Sequence, residues 1–451
     1  MNRIKHHLLF QLFILLLSGS AVLHGAASPK ITPLTLDDAV RIGLEKSRTL
    51  EIARLDRDMA GEKIRETWSN VLPQITTGLS YTRTLQPSVM LMPPNAFSPT
   101  GILEISSDNA VRASLDLRQP LFNGSAFAGI KAAAIVRKMS DEAYRSSEAG
   151  VISTIKISYF DALIAKEHHQ LIQQSIARWE QSKKDTRSMF LQGVAADIDT
   201  LKAYLSVENL RPDLIRSEKR VENSMTMLKN AMGLPAETTL LLTGKLERSP
   251  ASSPVDLAAA YREAVAQRAE LHQLDYQVQA EGEKINAVKA EYYPVLNAFG
   301  KLESQTAFND GVRVADSRWP TSSSVGLQLS MPLFTGYRIN SQIEQAKISQ
   351  FQTRTRLDDM KANIRAEIEV RMANVDDSRQ RIEVQSRTIG VAERSFAISA
   401  LRFKEGIGSR LELTDAELQL NTAKTNYLQA VYDNLVATTL LEKALGRRVI
   451  Q

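Results

Sequence analysis

The side chains able to do acid, base or metal chemistry are few and poorly grouped. Cysteine is absent from the 451 residues, which removes thiolate nucleophiles, disulfides and thiolate metal sites. Of the six histidines, His6, His7 and His24 fall in a leader-like segment, which leaves His168, His169 and His272. The first two are neighbours in a helical stretch and point to different faces, a poor start for a metal or general-base site. Adjacent carboxylates at Asp37-Asp38, Asp358-Asp359 and Asp376-Asp377 lie within charged helical stretches and read as solvated faces. No GxxxxGK[ST] loop is present, so the chain does not itself power a nucleotide-driven step through a P-loop. The expectation is a protein with no catalytic residue, no cofactor and no metal: not an enzyme.

If side-chain chemistry is not the business of this chain, its elements must be. Hydrophobic residues make up 43% and charged residues 24%, the range of a folded protein. Only 21 glycines and 15 prolines occur, and long proline-free stretches favour long helices. A net charge of +5 without a dense basic stripe excludes nucleic acid as an expected partner. Residues 1–27 read as a secretory signal: Arg3 and Lys5, then the apolar run Leu8 to Leu17, then Gly25-Ala26-Ala27 as a cleavage site, with an uncleaved anchor as the alternative. No later run of 18 apolar residues follows, so any membrane crossing must be by a closed β-barrel.

The chain is written twice. Gly61-Glu62-Lys63-Ile64 recurs as Gly282-Glu283-Lys284-Ile285, and Pro73 as Pro294, at an offset of 221. Pro120-Leu121-Phe122-Asn123-Gly124 recurs as Pro332-Leu333-Phe334-Thr335-Gly336 at 212, and Phe190 and Gly193 as Phe403 and Gly406 at 213. A first repeat over 28–249 and a second over 250–451 share one plan. A helix opens near Thr35 (with Asp38, a capping box) or Asp256 and runs to the first proline. A non-helical interval follows, then a long helix to a glycine, then a returning helix.

The intervals alternate with period two. Val111, Ala113, Leu115 and Leu117 interleave with Arg112, Ser114, Asp116 and Arg118, and Val325, Leu327, Leu329 and Met331 with Ser324, Gly326, Gln328 and Ser330. Strands are expected at about 74–86, 110–119, 295–303 and 322–331, apolar on one face and polar on the other. Helical hairpins are expected at about 121–233 and 333–446. Ile368, Val375, Ile382, Ile389, Phe396 and Phe403 recur every seventh residue, and Leu413, Ala416, Leu420, Ala423, Tyr427, Ala430, Asn434, Ala437, Leu441 and Ala444 step by three and four. That period of 3.5 specifies knobs-into-holes coiled-coil packing. The fold class is mainly α with a small β part.

Four strands cannot close a membrane barrel, which needs about eight, and open edges in lipid leave backbone groups unpaired at several kcal/mol each. Transmembrane strands therefore oblige several copies to pool them. The stretches from Gly124 to Gly193 and from Gly336 to Gly406 would each extend roughly 100 Å as helix.

The helix–Pro–strand plan, Pro-Leu-Phe-x-Gly at each strand-to-helix junction, and the turn Arg402-Phe403-Lys404-Glu405-Gly406-Ile407-Gly408-Ser409-Arg410-Leu411-Glu412-Leu413-Thr414-Asp415-Ala416 resemble the TolC outer-membrane factor family over the whole mature chain. The resemblance implies a channel-tunnel in the outer membrane, a homotrimer with a twelve-stranded barrel set in outer-membrane lipid and a twelve-helix α-barrel through the periplasm. It implies a periplasmic adaptor (membrane fusion) protein and an inner-membrane transporter as partners, in a tripartite efflux pump or type I secretion system. The junctions are Pro73, Pro120, Gly124, Pro294, Pro332 and Gly336. The periplasmic entrance is implied at Phe190, Gly193, Asp197, Asp199, Phe403, Gly406, Gly408, Arg410, Glu412 and Asp415, with Glu412 and Asp415 as a cation-favouring acidic ring. Two positions depart from the family pattern: Phe403 stands where a Tyr hydroxyl serves in tip closure, and Gly408 where an Arg is found. Arg410 paired with Asp197 or Asp199 is the substitute closure. A periplasmic coiled-coil scaffold or adaptor outside the membrane is the competing reading.

Overall fold

The structure, a computed structural model, describes residues 32–86, 88–93, 99–247 and 256–447. The segment expected to be a signal sequence lies outside them, as do Pro87 and Pro94 of the first loop.

Each repeat begins with two helices where one was expected: α1 (Leu36–Lys46) and α2 (Arg48–Ser69), and α6 (Leu257–Gln267) and α7 (Ala269–Lys289). The caps are the predicted ones. Thr35 accepts from the Asp38 amide at 3.2 Å, and Asp256 from Ala259 at 3.3 Å. The break falls at Ser47 and Arg268, both extended, with ψ of 122° and 120°. A glycine of left-handed φ packs against each break, Gly233 over Lys46 and Ser47 and Gly446 over Gln267 and Arg268, so close that a Cβ would strike backbone. Tertiary packing overrides local helix propensity here.

The intervals between helices fold as one sheet. Strands β2 (Gln74–Arg83), β5 (Asn109–Phe122), β7 (Val295–Phe308) and β8 (Thr321–Ser330) pair antiparallel in the order β2-β5-β7-β8, and β5 against β7 joins the two repeats. A small parallel pair, β1 (Thr32–Leu34) with β6 (Leu240–Leu242), and a loop hairpin, β3 (Val89–Leu91) with β4 (Ile102–Glu104), complete the described strands. The Pro-Leu-Phe-x-Gly motif serves differently in each half. In the first it extends β5 to Phe122, with a register shift after Pro120, where no N–H is available to the ladder. In the second it is a turn ending on left-handed Gly336 and Tyr337, φ 59° and 63°.

Two very long helices follow the sheet: α3 (Gly124–Leu191, 68 residues) and α8 (Arg338–Lys404, 67 residues), each about 100 Å. α3 starts where Asn123 accepts from Ala126 at 3.2 Å. Its return is broken into α4 (Asp197–Glu208) and α5 (Arg211–Ala231), a correction to the continuous helix expected. Pro212, just after the break, offers no N–H to the carbonyl four residues back and clashes with it. In the second repeat α9 (Arg410–Ala444) runs unbroken, with Thr425 at the position 213 residues beyond Pro212.

The seven-residue apolar seam is buried as its period requires: Ile368, Val375, Ile382 and Phe403 on α8 and Leu413, Ala416, Leu420, Ala423 and Ala430 on α9 are all buried, with Ile382 packed on Ala430 and Ile368 on Ala444. Asn434 donates to Ser378 within that seam at 3.0 Å, a buried polar pair of the kind that fixes coiled-coil register. Each repeat has its own core at the helix break. In the first, Tyr159 on α3 donates to the Leu34 carbonyl at 3.1 Å and ties β1 down. In the second, Leu271, Ile364 and Ile368 cluster with Leu445. No described helix is long and apolar enough to cross a membrane.

Candidate functional site

The sheet sorts its side chains by register. Residues directly opposite in an antiparallel pair share a face. The rows Ile75–Leu117–Gly300–Val325 and Thr77–Leu115–Leu302–Ser323, with Leu79, Leu327 and Leu329, therefore lie on one side. That side is apolar and open: Leu79 is 79% exposed and Val325 89%. Water would penalise such a face at about 25 cal/mol per Å²; lipid would not. On the other side Arg112 meets Glu303 at 3.4 Å, Lys301 meets Glu303 at 2.5 Å, and Asp116 lies in the same row as Lys301. Phe299 lies over Gly326 so closely that a Cβ there would come within 2.8 Å of its ring.

The outer strands β2 and β8 have no neighbour on their far sides among the described residues. Each is 10 residues long, enough to cross a hydrocarbon layer, and they run in opposite directions. The free edge of β8 is thus oriented to pair antiparallel with a strand running as β2 does. At the loop end of the sheet, Arg83 grips Asp310 through two hydrogen bonds, one at 2.7 Å, and Tyr81 donates to Asn109 at 2.7 Å.

At the opposite end of the molecule both long helices stop on left-handed glycines, Gly193 (φ 73°) and Gly406 (φ 74°), which donate to the carbonyls of Phe190 and Phe403 at 2.9 and 3.1 Å. Gly408 donates to Arg402 at 2.9 Å, and a Cβ there would lie 2.9 Å from both Arg402 and Phe403. The turn has no room for the side chain the family pattern shows at that place. Ser409 then caps α9 on the Glu412 amide at 3.2 Å.

The predicted tip residues gather at this end but divide in character. Glu412 and Asp415 are both exposed, and Glu412 faces Arg402 at 3.7 Å. Asp197 is exposed in the first turn of α4 and accepts from Thr200, and Asp199 is half-buried on the same turn. Phe190 stacks under Arg187, its centroid 5.6 Å from the guanidinium. Phe403 is buried in the seam. Arg410 corrects the expectation: it forms no ion pair with Asp197 or Asp199. It is 8% exposed, donates to Thr186 at 3.2 Å and Ser206 at 3.3 Å, and lies over Trp179 at 5.6 Å. Burial lowers its pKa, and the charge of Asp199 partly offsets that.

Sequence reasoning missed the polar knot one turn deeper. Glu417, 2% exposed, takes Arg178 at 2.8 Å and Ser175 at 2.9 Å, while Asn421 bridges Ser175 and Arg178. Glu417 flanks the Leu413–Ala416–Leu420 seam, where interhelical charges belong. Its partner is 239 residues away on the other hairpin, so no local pattern names it. Together Arg178–Glu417 and Arg410–Thr186–Ser206 bind α9 to α3 and α4.

The described histidines make local contacts. His169 contacts Ser217 at 2.8 Å and His272 the Ala266 carbonyl at 3.2 Å, and burial lowers the pKa of His168. Among the described residues no group of His, Asp and Glu is placed to hold a metal.

The profile of the outer membrane efflux protein family matches residues 40–234 and 260–447, one block per repeat. The outer membrane protein TolC of Escherichia coli (strain K12) is 22% identical over 403 residues, 87% of this chain and 78% of that protein. The alkaline protease secretion protein AprF of Pseudomonas aeruginosa is 23% identical, over 74% of this chain and 69% of that one. The crystal structure of the Campylobacter jejuni CmeC outer membrane channel superposes with a TM-score of 0.73 at 16% identity, covering 91% of this chain and 85% of that one. With both of its repeats matched, the chain belongs to the outer membrane efflux protein family.

Proposed function

We propose that three copies of this chain share one β-barrel in the outer membrane and continue through the periplasm as a single helical tube. The protein is an outer-membrane exit duct for efflux and type I secretion, in keeping with the efflux and secretion for which its relatives are named. The observation that carries the reading is the sheet: four registered strands, apolar on one face, charged on the other, with both edges unpaired among the described residues and helices of about 100 Å leaving from one end. Such edges in hydrocarbon cost several kcal/mol per unpaired group. Three copies give twelve strands, an even number, and every added contact between β8 and β2 is antiparallel.

The duct works without a chemical step. Arg112, Asp116, Lys301 and Glu303 face its water-filled interior, and Leu79, Leu115, Leu302, Val325 and Leu327 face lipid. Glu412, Asp415, Asp197 and Asp199 line the periplasmic entrance and favour cations there. Gly193, Gly406 and Gly408 let the helices turn back in the least space, with Phe190 and Phe403 packed behind them. Arg410 holds the entrance narrow by joining α9 to α3 and α4. Pump assembly partners follow from the family; we assign them as a periplasmic adaptor and an inner-membrane transporter. Exposed Leu191, Val194, Ile407 and Leu411 give these partners an apolar surface at the tip.

Planar-bilayer recordings of the purified protein test this reading. Arg410→Glu is expected to raise single-channel conductance, and Glu412→Gln with Asp415→Asn to lower cation over anion permeability. Carbonate or urea washing is expected to leave the chain in the outer-membrane fraction. Extraction by either would favour the periplasmic scaffold instead.

A further inference from the structure

The two helix breaks, at Ser47 and Arg268, are counterparts 221 residues apart, and the glycines that pack on them, Gly233 and Gly446, are 213 apart. In the second repeat the break is electrostatically complete. Arg268 meets Glu270 at 3.5 Å and Glu367 at 2.6 Å, and Ser146 donates to Glu270 at 3.1 Å. Protein carboxylates thus sit at the start of α7, where the helix dipole favours negative charge.

In the first repeat both of these carboxylates are missing, and the first-turn acid of α2, Glu51, lies outside the cavity lining and pairs with Arg54 at 3.6 Å. Thr49 stands in place of Glu270, and Thr154 in place of Glu367, 213 residues earlier, the spacing that also relates buried Ile155 to buried Ile368. A cavity of about 470 Å³ lies there, bordered by Ser47, Arg48, Thr49, Thr154, Asn230 and Lys443, with no acidic residue in its lining. Neither Arg48 nor Lys443 has an ion pair among the described residues, and Glu442 beside Lys443 is engaged by Lys156 at 3.4 Å. α2 starts at the cavity with no side-chain cap on its first turn. Ser47, only 6% exposed, lines the cavity, and its hydroxyl has no hydrogen-bond partner among the described residues.

We infer that this cavity binds a soluble oxyanion of the phosphate or sulfate class, which supplies the negative charge that Glu270 and Glu367 supply in the second repeat. The open amides of the first turn of α2 and the Ser47 hydroxyl donate to it, and Arg48 and Lys443 neutralise it. Gly150 of the lining lies 26 residues along α3 from the strand junction at Gly124, roughly 40 Å, which puts the site beyond the reach of lipid headgroups. The site is independent of the duct: conductance and oxyanion binding are separate readouts.

Isothermal titration of inorganic phosphate into the full-length protein in detergent, at ionic strength held constant with sodium chloride, tests the assignment. Saturable binding is expected, at least tenfold weaker in Arg48→Gln/Lys443→Gln. Thr49→Glu, which places a carboxylate where Glu270 stands, is expected to abolish binding while the thermal transition stays the same or rises. Because this variant fills the site instead of stripping it, its result does not depend on the double variant folding well. Absence of saturable binding in the unaltered protein, or binding changed less than threefold by both variants, overturns the assignment.

Discussion

At residue 47 and again at residue 268 a helix stops, the backbone extends for one residue, and a second helix starts, with a left-handed glycine packed on the break from the end of the same repeat. The backbones match, yet the second break is closed by Arg268, Glu270 and Glu367 while the first is lined by Ser47, Thr49, Thr154 and two cations without ion pairs among the described residues. The same split runs through the rest of the chain. Pro-Leu-Phe-x-Gly is strand in one half and turn in the other, and Pro212 breaks a return helix that Thr425 leaves whole. Duplication preserved what packing demands, a glycine where a Cβ would hit backbone and an apolar residue every third or fourth position. It left free what solvent or a partner can satisfy.

At the tip a cation of the first repeat, Arg178, pairs with a buried carboxylate of the second, and its own counterpart in the second repeat is apolar. Arg178→Ala strands Glu417 without its cation, and unfolding in urea should show a loss of about 3–5 kcal/mol. Val391, 213 residues on and exposed, occupies the equivalent place in the second repeat, and Val391→Ala should stay within about 0.5 kcal/mol. Equal effects would mean the knot is not the distinguishing contact.

Next in size are the paired glycines. Gly233→Ala and Gly446→Ala each force a left-handed residue, at about 1–2 kcal/mol. Gly233→Ala should be the worse in thermal unfolding, because its Cβ would lie 2.1 Å from the Lys46 carbonyl, against 2.9 Å at the second break.

Pro212→Thr, which copies the second repeat into the first, should raise helicity in far-ultraviolet circular dichroism and stabilise by about 1 kcal/mol or less. A loss of stability would show that the bend between α4 and α5 is demanded by packing and not by proline.

The smallest effect is at the loop end of the barrel. Hydrogen bonds from Arg83 and then Asn109 hold the Asp310 carboxyl down to about 2. A depressed carboxylate contributes its stabilisation above the ordinary range near 4 and loses it as pH falls through about 2. The melting-temperature difference between Asp310→Asn and the unaltered protein should therefore be constant at neutral pH and shrink between about pH 4 and 2.

Much of this architecture is legible in the residues because it rests on periodicity. The seam from Ile368 to Phe403 and the alternation from Val111 to Arg118 are dictated by 3.5- and 2-residue repeats, and both are buried or faced as those periods require. The capping pair Thr35 and Asp38 is likewise local. What escapes such reading is set by long-range contact. Nothing near Ser47 marks a helix break, since its cause is Gly233, and nothing near Glu417 names Arg178. Arg410 is drawn from Asp199 to Thr186 and Ser206 by the stacking place that Trp179 offers.

A shared barrel requires β2 and β8 of neighbouring copies to form one ladder. Because the chain has no cysteine of its own, a disulfide scan reads this directly in isolated outer membranes: Thr76→Cys in β2, combined in turn with single cysteines from Ser322 to Ser330 in β8. Some of these pairs are expected to oxidise to covalent dimers and trimers and nothing larger. A chain that stays monomeric throughout the scan would contradict a shared barrel.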